Sequence, residues 1–171
     1  MGEIAEIPVD SLVYVDESGI KEYLYRQYCY AFPGTKIIGE ITGYKFKKTN
    51  LIGGYVNGKI IAGATYEHNI DTDFVEAWTE QSLIKELKPG QTVILDNVSF
   101  HKSEKIQKLI ESVGCKLIFL PPYSPDLNPI EHVWANLKKY LRKTIATFAT
   151  LLDAIEQFFK INYNCNNFNP V

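Results

Sequence analysis

Hydrophobic and polar positions along this chain fall into short blocks of two kinds, and the alternation between them outlines the fold. Ser11-Leu12-Val13-Tyr14-Val15-Asp16-Glu17 is β-branched and apolar and then meets Ser18-Gly19, the pattern of a buried strand that ends in a loop with carboxylates at its tip. Asn57-Gly58 suits a two-residue type I′ turn, and its flanks, Leu51 to Val56 and Lys59 to Thr65, read as a β-hairpin. Asp73 is placed to cap a helix with Glu76 three residues on; Phe74, Ala77, Trp78, Ile84 and Leu87 follow at helical spacing until Pro89-Gly90. Thr92 to Asp96 is a second short strand ending in a carboxylate. Ile106, Leu109, Ile110 and Val113 recur at i, i+3, i+4, i+7, with Gly114 where a helix C-terminus favours it. Lys116 to Leu120 is a third buried-type strand, stopped by Pro121-Pro122. Ile130, Val133, Trp134, Leu137 and Leu141 mark the next helix, and Phe148, Leu151, Leu152, Ile155, Phe158 and Phe159 a last one. Ile20 to about Lys47 is irregular and aromatic-rich and is expected to be mostly loop.

A hairpin followed by strand–helix alternation predicts an α/β fold: a mixed five-stranded sheet, antiparallel hairpin plus parallel strands, flanked by helices on both faces. Ligands in such sheets gather beyond the carboxyl ends of the parallel strands, where Asp16 and Asp96 are expected to lie.

Composition narrows the function classes. The chain has 171 residues, is 46% hydrophobic and shows no repeat or low-complexity block, so one domain over 1–171 with a real core is expected. Cys29, Cys115 and Cys165 form no C-x-x-C pair, which argues against a disulfide framework or zinc knuckle and fits a reducing, cytoplasmic setting. No basic leader precedes an apolar run, and no apolar stretch reaches the ~20 residues of a membrane span. With 18 basic and 20 acidic side chains the formal charge is -2, so any affinity for nucleic acid must come from local clusters.

Two aspartates closing separate buried strands must each be solvated, paired or bound to a metal. Asp16 also fits a solvated strand end, and Asp96-Asn97 an Asx-turn that opens a loop. Glu131 has its own structural use, because Asn128-Pro129-Ile130-Glu131 matches an N-cap, Pro at the first helical position and a capping-box acid. Glu131 nevertheless stands on the first helical turn beside the buried stripe, at the same expected edge of the sheet as the aspartates. Three carboxylates and no softer ligand make a hard-oxygen site suited to Mg²⁺ or Mn²⁺ and to two-metal phosphoryl transfer.

Three segments carry a resemblance. Val15-Asp16-Glu17-Ser18, Leu95-Asp96-Asn97-Val98-Ser99-Phe100-His101-Lys102-Ser103 and the run Pro121 to Trp134, with Tyr123-Ser124-Pro125-Asp126-Leu127-Asn128-Pro129-Ile130-Glu131 at its centre, closely resemble the catalytic domain of DDE transposases. The likeness is narrowest to the mariner superfamily in its bacterial insertion-sequence branch, and covers about Val13 to Lys143. It implies an RNase H-like fold, with Asp16, Asp96 and Glu131 as the catalytic and metal-binding triad and two Mg²⁺ or Mn²⁺ ions as cofactors. The activity implied is DNA cleavage at transposon ends and strand transfer, at a TA target dinucleotide. Family members generally act as dimers and carry N-terminal helix-turn-helix modules that read the transposon ends. With the first triad strand starting near Ser11 such a module is expected to be absent, and a separately encoded helix-turn-helix protein becomes a candidate partner. The segment Ile20 to Phe46 only loosely echoes the family.

Around the triad, Asn97 is a candidate to orient Asp96, His101 to bond phosphate or water or simply backbone, and Asn128 to cap the helix or touch the site. Tyr123 and Trp134 read mainly as packing. Three basic clusters are candidates for DNA: Lys45/Lys47/Lys48, Lys102/Lys105/Lys108 and Lys138/Lys139/Arg142/Lys143. The middle one equally fits a solvated helix face, whereas the last follows Glu131 on the same helix and, with Lys102, forms the expected DNA contact. Two other functions fit the same fold, a structure-directed nuclease without strand joining and an inactive remnant or regulator that binds DNA or a transposase protomer. A transposase would act in the cytoplasm, on the nucleoid of a bacterial host.

Overall fold

The structure, a computed structural model, describes residues 7–21, 48–121, 124–163, 165 and 169–170. Strand β1 (Leu12–Lys21) is the axis of the sheet. On one side it pairs antiparallel with β2 (Lys48–Val56), which turns back into β3 (Lys59–Tyr66). On the other side it pairs in parallel with β4 (Thr92–Leu95), which pairs in parallel with β5 (Lys116–Phe119). These five strands are the expected ones, and a two-residue β6 (Asn169–Pro170) adds to the outer edge of β3, giving the order β5-β4-β1-β2-β3-β6. The β2–β3 turn is built as its dipeptide requires, with positive φ at Asn57 (46°) and Gly58 (76°).

Strand β1 corrects one expectation. It does not break at Ser18-Gly19 but runs on to Lys21, because β2 continues as an antiparallel partner as far as Lys21↔Lys48. Asp16 therefore lies inside a strand, opposite Gly53. It still lies beyond the parallel part of the sheet, since the β1–β4 ladder stops at Tyr14↔Ile94; continuing that register by two residues sets Asp16 level with Asp96.

Two helical layers cover the sheet. Helix α1 starts at Thr72–Trp78 and continues through a π-helical stretch, Thr79–Leu83, to a last turn at Ile84–Glu86. Its cap is Asp71 rather than the expected Asp73: the Asp71 carboxylate accepts the Phe74 N–H at 2.9 Å, while Asp73 falls in the first turn. Helix α2 (Glu104–Ser112) is capped by Ser103 and ends at Gly114, with φ 75°. Phe74, Val75, Trp78, Leu83, Ile106 and Ile110 from these helices pack on Val13, Val15, Val93 and Leu95. On the opposite face, α3 (Ile130–Thr144) lays Ile130, Val133, Trp134, Leu137 and Leu141 against Ile20, Leu51 and Ile60. Helix α4 (Leu151–Tyr163) closes that layer with Ile155, Phe158 and Phe159, each such side chain contributing roughly 1.5–3 kcal/mol of burial. Helix α4 begins three residues after the Phe148 expected to open it, because Thr150 and Asp153 form a reciprocal capping box there at 3.0 and 3.1 Å.

One backbone feature couples the α1 layer to the sheet. Ala62 takes a left-handed conformation, φ 50°, next to a register shift in the β2–β3 pairing. Its N–H donates to Glu86 and its carbonyl accepts from the Trp78 indole, both at 2.9 Å, so α1 supplies hydrogen bonds that the irregular ladder gives up. Among the described residues no helix is long and apolar enough to cross a membrane.

Candidate active site

Strand alternation decides which way Asp16 faces. Val13 and Val15 point into the α1–α2 layer and Ile20 into the α3–α4 layer, so Asp16 shares the α3 side with Ile20. Asp96 follows β4 past its last paired residue, where its Oδ1 meets the His101 ring; the α3 side is the one that Asp16 faces. Over that side, at the sheet's carboxyl edge, lies the first turn of α3 with Glu131. The fully buried Trp134, one turn further along, donates its indole N–H to Asp16 Oδ2 at 3.2 Å. That bond ties the start of α3 to β1. Trp134 packs as expected, but it also has this polar contact with the site, which an apolar stripe does not disclose.

At the start of α3, Asn128 is 5% exposed and its side-chain oxygen accepts the Ile130 N–H at 3.4 Å, so it serves the helix start. The Glu131 side of the expected capping box is not formed: among the described residues its carboxylate has no hydrogen-bonded partner, and the residue is exposed. Glu131 is thus available to the site.

The negative charges act on one another. Burial, then the charge of Glu17, and then those of Glu131 and Asp96 push the Asp16 carboxyl up to about 7, against a backbone hydrogen bond from Glu17 that lowers it. Burial and the charges of Glu17 and Asp16 likewise raise the Tyr66 hydroxyl.

His101 answers part of this charge. The ring is fully buried; Nε2 lies 2.7 Å from Glu17 Oε1 and Nδ1 lies 2.5 Å from Asp96 Oδ1. Burial alone would lower its pKa, but the contacts with Asp96 and Glu17 outweigh it and raise the imidazole to about 9, so it is a cation at neutral pH. Glu17 belongs to this arrangement although the sequence offered no reason to single it out; its one signal was adjacency to Asp16.

The described residues contain no group of three or more His, Cys, Asp or Glu side chains close enough together to hold a metal ion. The donor chemistry nonetheless fits a hard divalent cation. Asp16, Asp96 and Glu131 offer oxygen only, the donor set such a cation takes, and of the Asp96 oxygens it is Oδ1 that meets the His101 ring.

The remaining candidates are placed unevenly. Asn97 is half-buried beside Asp96, and Lys102 is exposed. Lys105 is engaged by Glu76 and Glu80, and Lys108 by Glu104, so the middle cluster is largely a salt-bridged helix face. Lys138 is half-buried, and Lys139, Arg142 and Lys143 are exposed along α3. Lys48 is exposed at the start of β2; Lys45, Lys47, Cys29 and Tyr123 lie outside the described residues.

Comparison with known proteins agrees with this architecture. In overall fold the chain is similar to the Mos1 mariner transposase paired-end complex with Mn (TM-score 0.63, 17% identity, covering 95% of this chain and 56% of that one). It is also similar to the Mos1 catalytic domain (TM-score 0.60, 14% identity, 96% and 75%). The chain thus spans about half the length of the Mos1 chain in that complex, and the RNase H-like fold is the same. A stretch of 42 residues is 45% identical to an uncharacterized protein of Sinorhizobium fredii, covering 25% of this chain and 29% of that protein. The pattern of the DDE superfamily endonucleases matches residues 11–152, from the start of β1 into α4, and the chain belongs to that family.

Proposed function

We propose that this chain is the catalytic domain of a DNA transposase, cleaving DNA at the ends of a mobile element and joining the freed 3′ ends to target DNA. What supports the reading is the register that sets Asp16 level with Asp96, together with the Trp134–Asp16 bond that ties the helix bearing Glu131 to β1, in a chain of the DDE endonuclease family. Asp16, Asp96 and Glu131 would hold two Mg²⁺ or Mn²⁺ ions. When bound, such ions lower the pKa of the attacking water or 3′-hydroxyl and stabilise the leaving oxyanion.

The chain's own residues supply the positioning. Trp134 fixes one Asp16 oxygen, leaving the other for a ligand. Lys138 and Arg142 stand seven and eleven residues beyond Glu131, nearly in line with it and about 10 and 16 Å along the helix. They thus form one basic row on the face that carries Glu131, spaced to meet neighbouring phosphates of a DNA strand, with Lys139, Lys143 and Lys102 at the margin. Mos1 has been seen in paired-end complexes with transposon DNA. By that likeness, transposon-end and target DNA, a second copy of this chain and a helix-turn-helix protein that reads the ends are the proposed partners.

The test is incubation of the chain with DNA bearing the inverted repeats that flank its coding sequence, with Mn²⁺ or Mg²⁺ and any helix-turn-helix protein encoded beside it. Nicked and strand-transfer products are expected, and Asp96→Ala, Glu131→Gln or EDTA should abolish both. Full activity in either variant would overturn the residue assignment. Cleavage of branched or hybrid DNA without joining would instead identify a structure-directed nuclease.

A further inference from the structure

The backbone ladder between β1 and β4 ends at Tyr14↔Ile94, so Asp96 is carried past the last parallel pairing. Where the ladder stops, a side chain takes over. His101 returns from the short 3₁₀ turn Ser99–His101, its N–H bonded to the Val98 carbonyl at 3.3 Å, and inserts its ring between the two strand ends. One ring nitrogen meets Asp96 at 2.5 Å and the other meets Glu17 of β1 at 2.7 Å; the ring is 0% exposed and the Glu17 side chain 16%. Phe100 packs edge-on against it with ring centroids 4.6 Å apart. Glu17 neighbours Asp16 but, by strand alternation, points to the opposite face of the sheet, so it is poorly placed to join Asp16 as a fourth ligand.

We infer that Glu17 and His101 form a clasp that positions Asp96 against β1 and thereby sets its distance from Asp16. The inference rests on the reading of Asp96 as a metal ligand. A rigid five-membered ring held at both nitrogens fixes one Asp96 oxygen and leaves the other to accept a cation, as groups behind a metal ligand commonly do. Glu17 and His101 are positioning residues here. Loss of either leaves the ligand set intact but lets Asp96 swing.

The clasp is tested in the full chain with Mn²⁺ as the probe, in wild type, Glu17→Ala, His101→Ala, the double variant and the conservative Glu17→Gln, which keeps an oxygen for the ring. Titration calorimetry should show Mn²⁺ affinity falling about 10–100-fold in each alanine variant, the usual effect of removing a group that orients a ligand. The double variant should be no weaker than the weaker single one, because both act through one contact, and Glu17→Gln should recover most of the affinity. A folded Glu17→Ala protein that binds Mn²⁺ within twofold of wild type overturns the clasp.

A second measurement separates this inference from the metal reading. In wild-type protein without metal, NMR should show a His101 ring N–H proton shielded from exchange at the Glu17 contact and lost in Glu17→Ala. If wild type binds no Mn²⁺ and this proton is present, the metal reading fails and the clasp stands as the link between strand ends. If the proton is absent, the clasp fails.

Discussion

Trp134 donates its indole N–H to the carboxylate of Asp16 across 118 positions of sequence, and through this bond the helix that carries Glu131 is held over the strand that carries the first aspartate. Trp134→Phe keeps most of the apolar volume and removes only the donor. It should cost about 0.5–1.5 kcal/mol, the net worth of a hydrogen bond whose acceptor still reaches water, and lower Mn²⁺ affinity as well, because Asp16 loses its orienting partner. Urea denaturation and metal titration on the same variant check both; a loss of stability with unchanged Mn²⁺ binding would limit Trp134 to packing.

The gathered carboxylates predict a pH dependence. Asp16 is held protonated up to about 7, so its cost to the metal-free fold is absent below the ordinary aspartate range and grows as pH rises through 7. His101, raised to about 9, contributes stability that is complete below its ordinary value and is lost as pH rises through 9. Both act in the same direction, so the metal-free melting temperature should fall between pH 5 and pH 9. Asp16→Asn should flatten the part of that slope below pH 7 and raise stability at pH 8, while Mn²⁺ should stabilise wild type more at pH 8 than at pH 5.5. Thermal melts across that range measure each point.

On α3, Lys138→Ala and Arg142→Ala should weaken DNA binding whatever the sequence and reduce the slope of log K against log salt by about one each, as loss of a single phosphate contact does. Lys105→Ala should leave the slope unchanged, because its ammonium already pairs with Glu76 and Glu80. Fluorescence anisotropy at several salt concentrations compares the three.

Ala62 tests the scaffold alone. A left-handed residue between two α1 hydrogen bonds tolerates glycine far better than a branched side chain, so Ala62→Val should destabilise by more than about 1 kcal/mol. Ala62→Gly, which relieves strain but loses a buried methyl, should stay close to wild type. Denaturant midpoints separate the two.

Much of this molecule was legible as local pattern. The Asn57-Gly58 hairpin, the i, i+3, i+4 stripes of α2 and α3 and the short apolar strands stand where periodicity puts them, because each reflects the repeat of one element against one buried face. Local pattern failed where a neighbour overrode it. Ser18-Gly19 reads as a break, yet β2 extends the strand through it, and Asp73 reads as a cap, yet Asp71 has the carboxylate that reaches the Phe74 N–H. Glu131 reads as half of a capping box, yet among the described residues its carboxylate makes no such bond, and Asn128 alone serves the helix start.

The order of elements, the layered sheet and the three motifs that hold Asp16, Asp96 and Glu131 could be read along the chain, since a strand or helix announces its buried face within a few residues. Tertiary structure alone decided what holds those carboxylates. Glu17 meets His101 across 84 positions and Trp134 meets Asp16 across 118, and contacts of such separation follow from how the strands stack and which way each side chain points, leaving no periodic trace in the chain.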